Sequence, residues 1–133
     1  MIAADTSVVV AAFASWHVQH GSANRALLGG ATLVAHSALE AYSVLTRLPA
    51  PHRAPPELVR DFLVARFPGP YLLLDGPSSK ALVGRLVELG ITGGAAYDAL
   101  IATTAASAGA RLVSCDTRAA ATYQRCGAEV HLL

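Results

Sequence analysis

Ile2-Ala3-Ala4-Asp5-Thr6-Ser7-Val8-Val9-Val10-Ala11-Ala12-Phe13 opens the chain with a short apolar run, an acid, two hydroxyls and a second apolar run. The first run has the length of a buried strand. The hydroxyl of Thr6 or Ser7 is placed to cap a helix through Val8–Phe13, accepting from a free N–H of its first turn. The unit is strand, acid, helix, and it recurs along the chain. Ala31–Ala35 is β-compatible and leads into His36-Ser37. Ser37, with Glu40 three residues on, has the spacing of a capping box for a helix running to Leu48. Tyr71-Leu72-Leu73-Leu74-Asp75 reads as a strand ending in an acid, with Ser78 or Ser79 capping a helix to Leu89. Arg111–Ser114 is a further strand. Asp116 follows it, then a helix over Thr117–Arg125 and a closing strand over Glu129–Leu133.

Breakers divide the rest. A helix over Val18–Leu28 stops at Gly29-Gly30. Pro49 and Pro51 end the next one, and Pro56 fits the first turn of a helix with Leu58, Val59, Phe62 and Leu63 on one face. Phe67-Pro68-Gly69-Pro70 interrupts the chain again, and Gly93-Gly94 leads into a helix over Ala95–Ala108. Strands alternating with helices predict the α/β class, as a three-layer α/β/α arrangement around a central parallel sheet of about five short strands. A length of 133 residues suits one domain over 1–133. Open parallel sheets bind ligands beyond the carboxyl ends of their strands, which is where strands hand over to helices.

Composition narrows the function classes. Apolar residues make up 53% of the chain, enough for a sizeable core and too many for wholesale disorder. The formal net charge is +1, so any nucleic-acid contact must come from a local basic rim or from bound cations rather than bulk charge. Cys115 and Cys126 lack metal-ligand spacing and are expected to pack as small apolar groups in a reducing compartment. Thr6–Asn24 carries no formal charge, but Asp5 precedes it where a secretory signal has basic residues. Its apolar part is also far shorter than the roughly 20 residues of a membrane span. The expected location is the cytoplasm, with no membrane contact.

Only nine acids occur in the chain, and four of them stand at handovers: Asp5, Glu40, Asp98 and Asp116. Each taken singly has a structural reading as a cap or a macrodipole partner. Together, in a doubly wound sheet, all four can face one end. Carboxylates within ~4–6 Å of one another repel, and a divalent cation is the natural compensation. An all-oxygen set suits Mg²⁺ or Mn²⁺ and disfavours Zn²⁺. Such ions activate water and shield phosphate oxygens, so the chemistry implied is phosphodiester hydrolysis without a covalent intermediate.

In the order and spacing of Ile2-Ala3-Ala4-Asp5-Thr6-Ser7, Ser37-Ala38-Leu39-Glu40, Tyr97-Asp98-Ala99-Leu100-Ile101 and Leu112-Val113-Ser114-Cys115-Asp116-Thr117-Arg118, the chain resembles the PIN-domain family, specifically VapC-type toxins of bacterial toxin–antitoxin pairs. The resemblance implies a Mg²⁺- or Mn²⁺-dependent endoribonuclease with Asp5, Glu40, Asp98 and Asp116 as its acidic site. It implies metal ligation above all by Asp5 and Asp98, help from Glu40 in activating water, and hydroxyl support from Thr6, Ser7 and Ser114. It also implies a homodimer acting on RNA, held inactive by a small cognate antitoxin of VapB type that places a basic side chain in the acidic pocket.

Other functions fit these residues less well. Asp75 at a strand end suggests a receiver-type phosphoacceptor, but Asp5 lacks a paired acid and Lys80 follows Asp75 too closely. A haloacid-dehalogenase-type phosphatase needs a second acid where Ser7 stands. A catalytically silent RNA- or protein-binding module has no physical need to hold four repelling carboxylates together. His17 and His20 are expected on a solvated helix face, His36 in a local hydrogen bond, and Trp16 in core or dimer packing. Arg47, Arg53, Arg60, Arg66 and Arg118 are expected as solvated helix residues.

Overall fold

The opening strand–acid–helix unit is β1 (Ile2–Ala4) followed by α1 (Thr6–Phe13). In the computed structural model, which describes residues 1–133, the chain continues through α2 (His20–Ala26), β2 (Thr32–Leu33), α3 (Ala35–Arg47), α4 (Pro56–Arg66), α5 (Gly76–Leu89), α6 (Ala95–Ser107), β3 (Arg111–Ser114), α7 (Thr117–Arg125) and β4 (Val130–Leu132). The four strands form one parallel sheet in the order β2-β1-β3-β4. From β1 the chain steps outward to β2, then returns on the other side of β1 as β3. The strand order therefore reverses between β1 and β3, and this is the crevice where open α/β sheets place their ligands.

Alternation along the central strands explains the three layers. Successive strand residues point to opposite faces. Ala4 and Val113 face a core built with Val8 and Val9 of α1, Leu45 of α3 and Val59 and Leu63 of α4. Ala3 and Leu112 face the other way, toward Ile101, Ala102 and Ala105 of α6 and Ala119 and Tyr123 of α7. Ala3 and Ala4 keep little side chain between sheet and helices, so the helices approach closely.

The expected fifth strand is reduced to one residue. Leu72 forms a single parallel bridge to Val34, with its N–H donating to Leu33 O at 2.8 Å and its carbonyl accepting from Ala35 N at 2.9 Å. Pro70 has no N–H to offer, Asp75 already caps α5, and Leu73 lies in solvent, so little chain remains to pair.

Three expected caps are different in the structure. Asp5, not Thr6 or Ser7, caps α1, accepting from Val8 N at 3.0 Å. Asp75, not Ser78 or Ser79, caps α5 through Ser78 N at 2.7 Å. The Ser37–Glu40 capping box does not form, because α3 starts at Ala35 with Val34 as a cap that offers no side chain. The Leu72 carbonyl takes the Ala35 N–H instead, and the buried Ser37 hydroxyl has no partner. The second helix is also shorter than expected, beginning at His20. No helix is long and apolar enough to cross a membrane.

Candidate active site

The register of the two central strands builds the site. Ala4 pairs with Val113, so the next residues, Asp5 and Ser114, stand side by side at the carboxyl ends. Asp5 N donates to Val113 O at 3.2 Å. The buried Asp5 carboxylate then collects four donors. Oδ1 accepts from Ser7 Oγ at 2.6 Å and from Val8 N at 3.0 Å. Oδ2 accepts from Ser114 Oγ at 2.5 Å and from the Tyr123 hydroxyl at 2.9 Å. A carboxylate has about four acceptor positions in its plane, so the protein fills them all. Burial nonetheless pushes the Asp5 carboxyl above its usual value, against the pull of the bonds from Ser114, Ser7, Val8 and Tyr123.

The two serines extend the network. Ser114 Oγ accepts from Asp116 N at 2.9 Å, and Ser7 Oγ accepts from Cys115 N at 2.8 Å. The turn after β3 is thus tied to the turn after β1. Asp116 caps α7, its Oδ1 accepting from Arg118 N at 2.9 Å and Ala119 N at 3.2 Å. Its other oxygen takes no protein donor. Asp116 is therefore a cap and a site acid at once.

Glu40 comes from the second turn of α3, where His36, one turn earlier, holds its Oε2 at 3.1 Å. Asp98 comes from the first turn of α6 and has neither a hydrogen bond nor an ion pair. Its carboxyl is pushed up to about 6, first by burial and then by the negative charges of Asp116, Glu40 and Asp5, with Arg118 pulling back. All four acids, with Thr6 and Ser7, line one cleft of about 520 Å³. Ser114 lies beneath it, bonded to Asp5. The buried Thr6 hydroxyl at this cleft has no partner.

This donor set fits a hard divalent cation. Its oxygens are carboxylate and hydroxyl, and Asp98 is an unpartnered acid among like charges. As they stand, no three His, Cys, Asp or Glu side chains are arranged to enclose a metal ion. Mg²⁺ in general keeps several waters and binds through one or two carboxylates rather than in a full protein cage.

The match to known proteins follows the same elements. Residues 2–124 fit the family model described as PIN domain, a stretch holding all four acids. The chain belongs to the PIN-domain family. Ribonuclease VapC40 of Mycobacterium tuberculosis is 52% identical to it over 133 residues, covering 100% of this chain and 99% of that protein. Ribonuclease VapC27 of the same organism is 40% identical over 134 residues, covering 97% and 94%.

The PIN domain also contains site residues that the sequence did not reveal. Tyr123 is 2% exposed and donates to Asp5, and burial, then the Asp5 charge, raises its phenol above the ordinary value. Nothing in the spacing of α7 marks it apart from an ordinary core tyrosine. Tyr123→Phe should lower stability by about 1 kcal/mol, the scale of one lost hydrogen bond; urea unfolding at neutral pH measures it.

His17 is not on a helix face. It sits in the turn before α2 and lines the acid cleft, its Nδ1 accepting from Gln19 N at 3.0 Å. His20 bonds Ala11 O at 2.9 Å instead of facing solvent. Trp16 is half exposed and packs against the His52 ring, tilted 35° with the centroids 4.3 Å apart. Arg66 is half-buried and holds Asn24, whereas Arg47, Arg53, Arg60 and Arg118 are exposed. Asp75 is exposed and lies outside the acid cleft, which removes the phosphoacceptor reading. Both cysteines are free. An apolar groove of about 560 Å³ between α3 and α4 shares no residue with the acid cleft and contains no site acid.

Proposed function

We propose that this PIN domain is a Mg²⁺- or Mn²⁺-dependent endoribonuclease and the toxin of a toxin–antitoxin pair. One observation carries the reading: acids from four separated segments of the chain share one cleft, and Asp98 there has no protein partner. Full-length similarity to two ribonucleases supports the substrate class.

Asp98 and the free oxygen of Asp116 would hold the cation, with Asp5 joining when one of its hydroxyl donors turns away. When bound, such a cation supplies Lewis-acid polarisation of a phosphate oxygen and lowers the pKa of water. The chain's own groups do the rest. Glu40, oriented by His36, is placed to take a proton from the attacking water. Ser7, Ser114 and Tyr123 fix the Asp5 carboxylate and join the turns after β1 and β3. Thr6 offers its unpartnered hydroxyl to whatever polar group enters the cleft.

The acid cleft also suits a basic side chain, and Arg118 is the one cation on its rim. This supports a VapB-type antitoxin that blocks the site with a basic residue. A homodimer acting in the cytoplasm completes the reading.

The direct test is incubation of purified protein with a total RNA pool in Mg²⁺, in Mn²⁺ and in EDTA. Discrete cuts with either metal and none in EDTA are expected. Intact RNA under all three conditions, from protein that unfolds cooperatively, would favour a silent binding module on the same fold.

A further inference from the structure

Beside the acid cleft lies a second concavity, about 520 Å³, that shares Glu40 and Val44 with it. Its character is different. Tyr97 and His36 form its aromatic wall, Leu39 and Val44 are apolar, and Arg47 stands at its edge. The two rings are parallel within 1°, with centroids 5.2 Å apart. That is an offset stack. His36 is further fixed by its bond to Glu40. Tyr97 is 56% exposed, and its hydroxyl makes no hydrogen bond in the protein. Arg47 has no carboxylate partner and touches only Ser43 Oγ, at 3.5 Å.

These features are tied to the chemistry by chain geometry. Tyr97 immediately precedes Asp98, and His36 lies one helical turn before Glu40. Although it stacks on His36, the Tyr97 ring keeps more than half of its surface open to solvent and so available to a ligand. Aromatic rings beside a phosphate-handling cleft bind single-stranded nucleic acid by stacking on bases, and an unpaired arginine nearby takes a backbone phosphate.

We propose that Tyr97, backed by His36, is a stacking platform for an unpaired base of the RNA next to the scissile phosphate, and that Arg47 binds a neighbouring phosphate. The platform requires a single-stranded target, because a base inside a duplex cannot present its face to Tyr97. This rests on the ribonuclease reading and adds to it two substrate-contacting residues outside the four acids.

The test uses a single-stranded RNA decamer carrying 2-aminopurine at each position in turn, titrated with Asp98→Asn protein in Mg²⁺ so that the probe stays intact. Stacking quenches the fluorophore at one position. Adding Tyr97→Leu should abolish that quenching and weaken binding roughly ten- to a hundredfold, and Tyr97→Phe should restore both. Arg47→Gln should weaken binding to all sequences and lower the salt slope by about 1. In the otherwise wild-type enzyme, Tyr97→Leu should raise KM on unpaired RNA far more than it lowers kcat. Tyr97→Leu protein that quenches, binds and cleaves like its parent overturns the platform while the ribonuclease reading stands. A wild-type protein that neither cleaves RNA nor quenches any probe overturns both.

Discussion

Replacing Asp98 by Asn should reduce metal-dependent RNA cleavage by more than about 100-fold, because outer-shell partners of metal ligands alone are worth 10–100-fold. Asp98 is the site acid with no protein donor, so no hydrogen bond is lost when its charge is removed. What disappears is an anionic oxygen available to a cation. The substitution should also raise the melting temperature in EDTA, since it relieves repulsion from Asp116, Glu40 and Asp5. Loss of activity with a gain in stability separates a site acid from a structural one. Asp75→Asn is the control: that residue is exposed, caps α5, and stays a competent cap as Asn, so cleavage should be unchanged. Full cleavage by Asp98→Asn protein would falsify the proposed site.

Most of the fold was legible because its signals are local. Each strand is a few apolar residues, Asp5 and Asp116 directly follow two of them, and glycine or proline punctuates several helix ends. The four acids were legible for the same reason. What stayed hidden depends on register and on distant partners. Asp5 rather than Ser7 caps α1 because the pairing of Ala4 with Val113 brings Ser114 against the carboxylate, and Ser7 then serves Asp5 and Cys115. The Ser37 capping box looked sound locally, but Leu72, more than thirty residues on, supplies the carbonyl that starts α3. Tyr123 reaches Asp5 across 118 positions of sequence. The Tyr97–His36 stack joins α6 to α3, a contact that no periodicity within either helix announces.

Without metal, the protein should lose stability as pH rises from about 4 to about 6. The sign follows from the direction of the shifts. Asp98 has a carboxyl raised to about 6 from 3.8, and that of Asp5 is raised as well. A raised acid binds more protons folded than unfolded, so the stability it contributes is full below 3.8 and is lost as pH climbs through its folded value. For Asp98 the rise corresponds to roughly 3 kcal/mol at most, and solvent screening at this half-exposed group reduces it to roughly 1–2 kcal/mol. Asp5 adds to the loss in the same direction. The depressed carboxyl of the exposed Asp75 works oppositely, but only below 3.8, outside this window. Melting temperatures in EDTA should therefore fall by several degrees between pH 4 and pH 7. Asp98→Asn should flatten the profile. Adding Mg²⁺ or Mn²⁺ should restore stability at pH 7 and do little at pH 4, where protons compete for the same oxygens. A metal-free profile that rises between pH 4 and pH 6, with the same slope in Asp98→Asn protein, would mean that the four carboxylates do not share one electrostatic site.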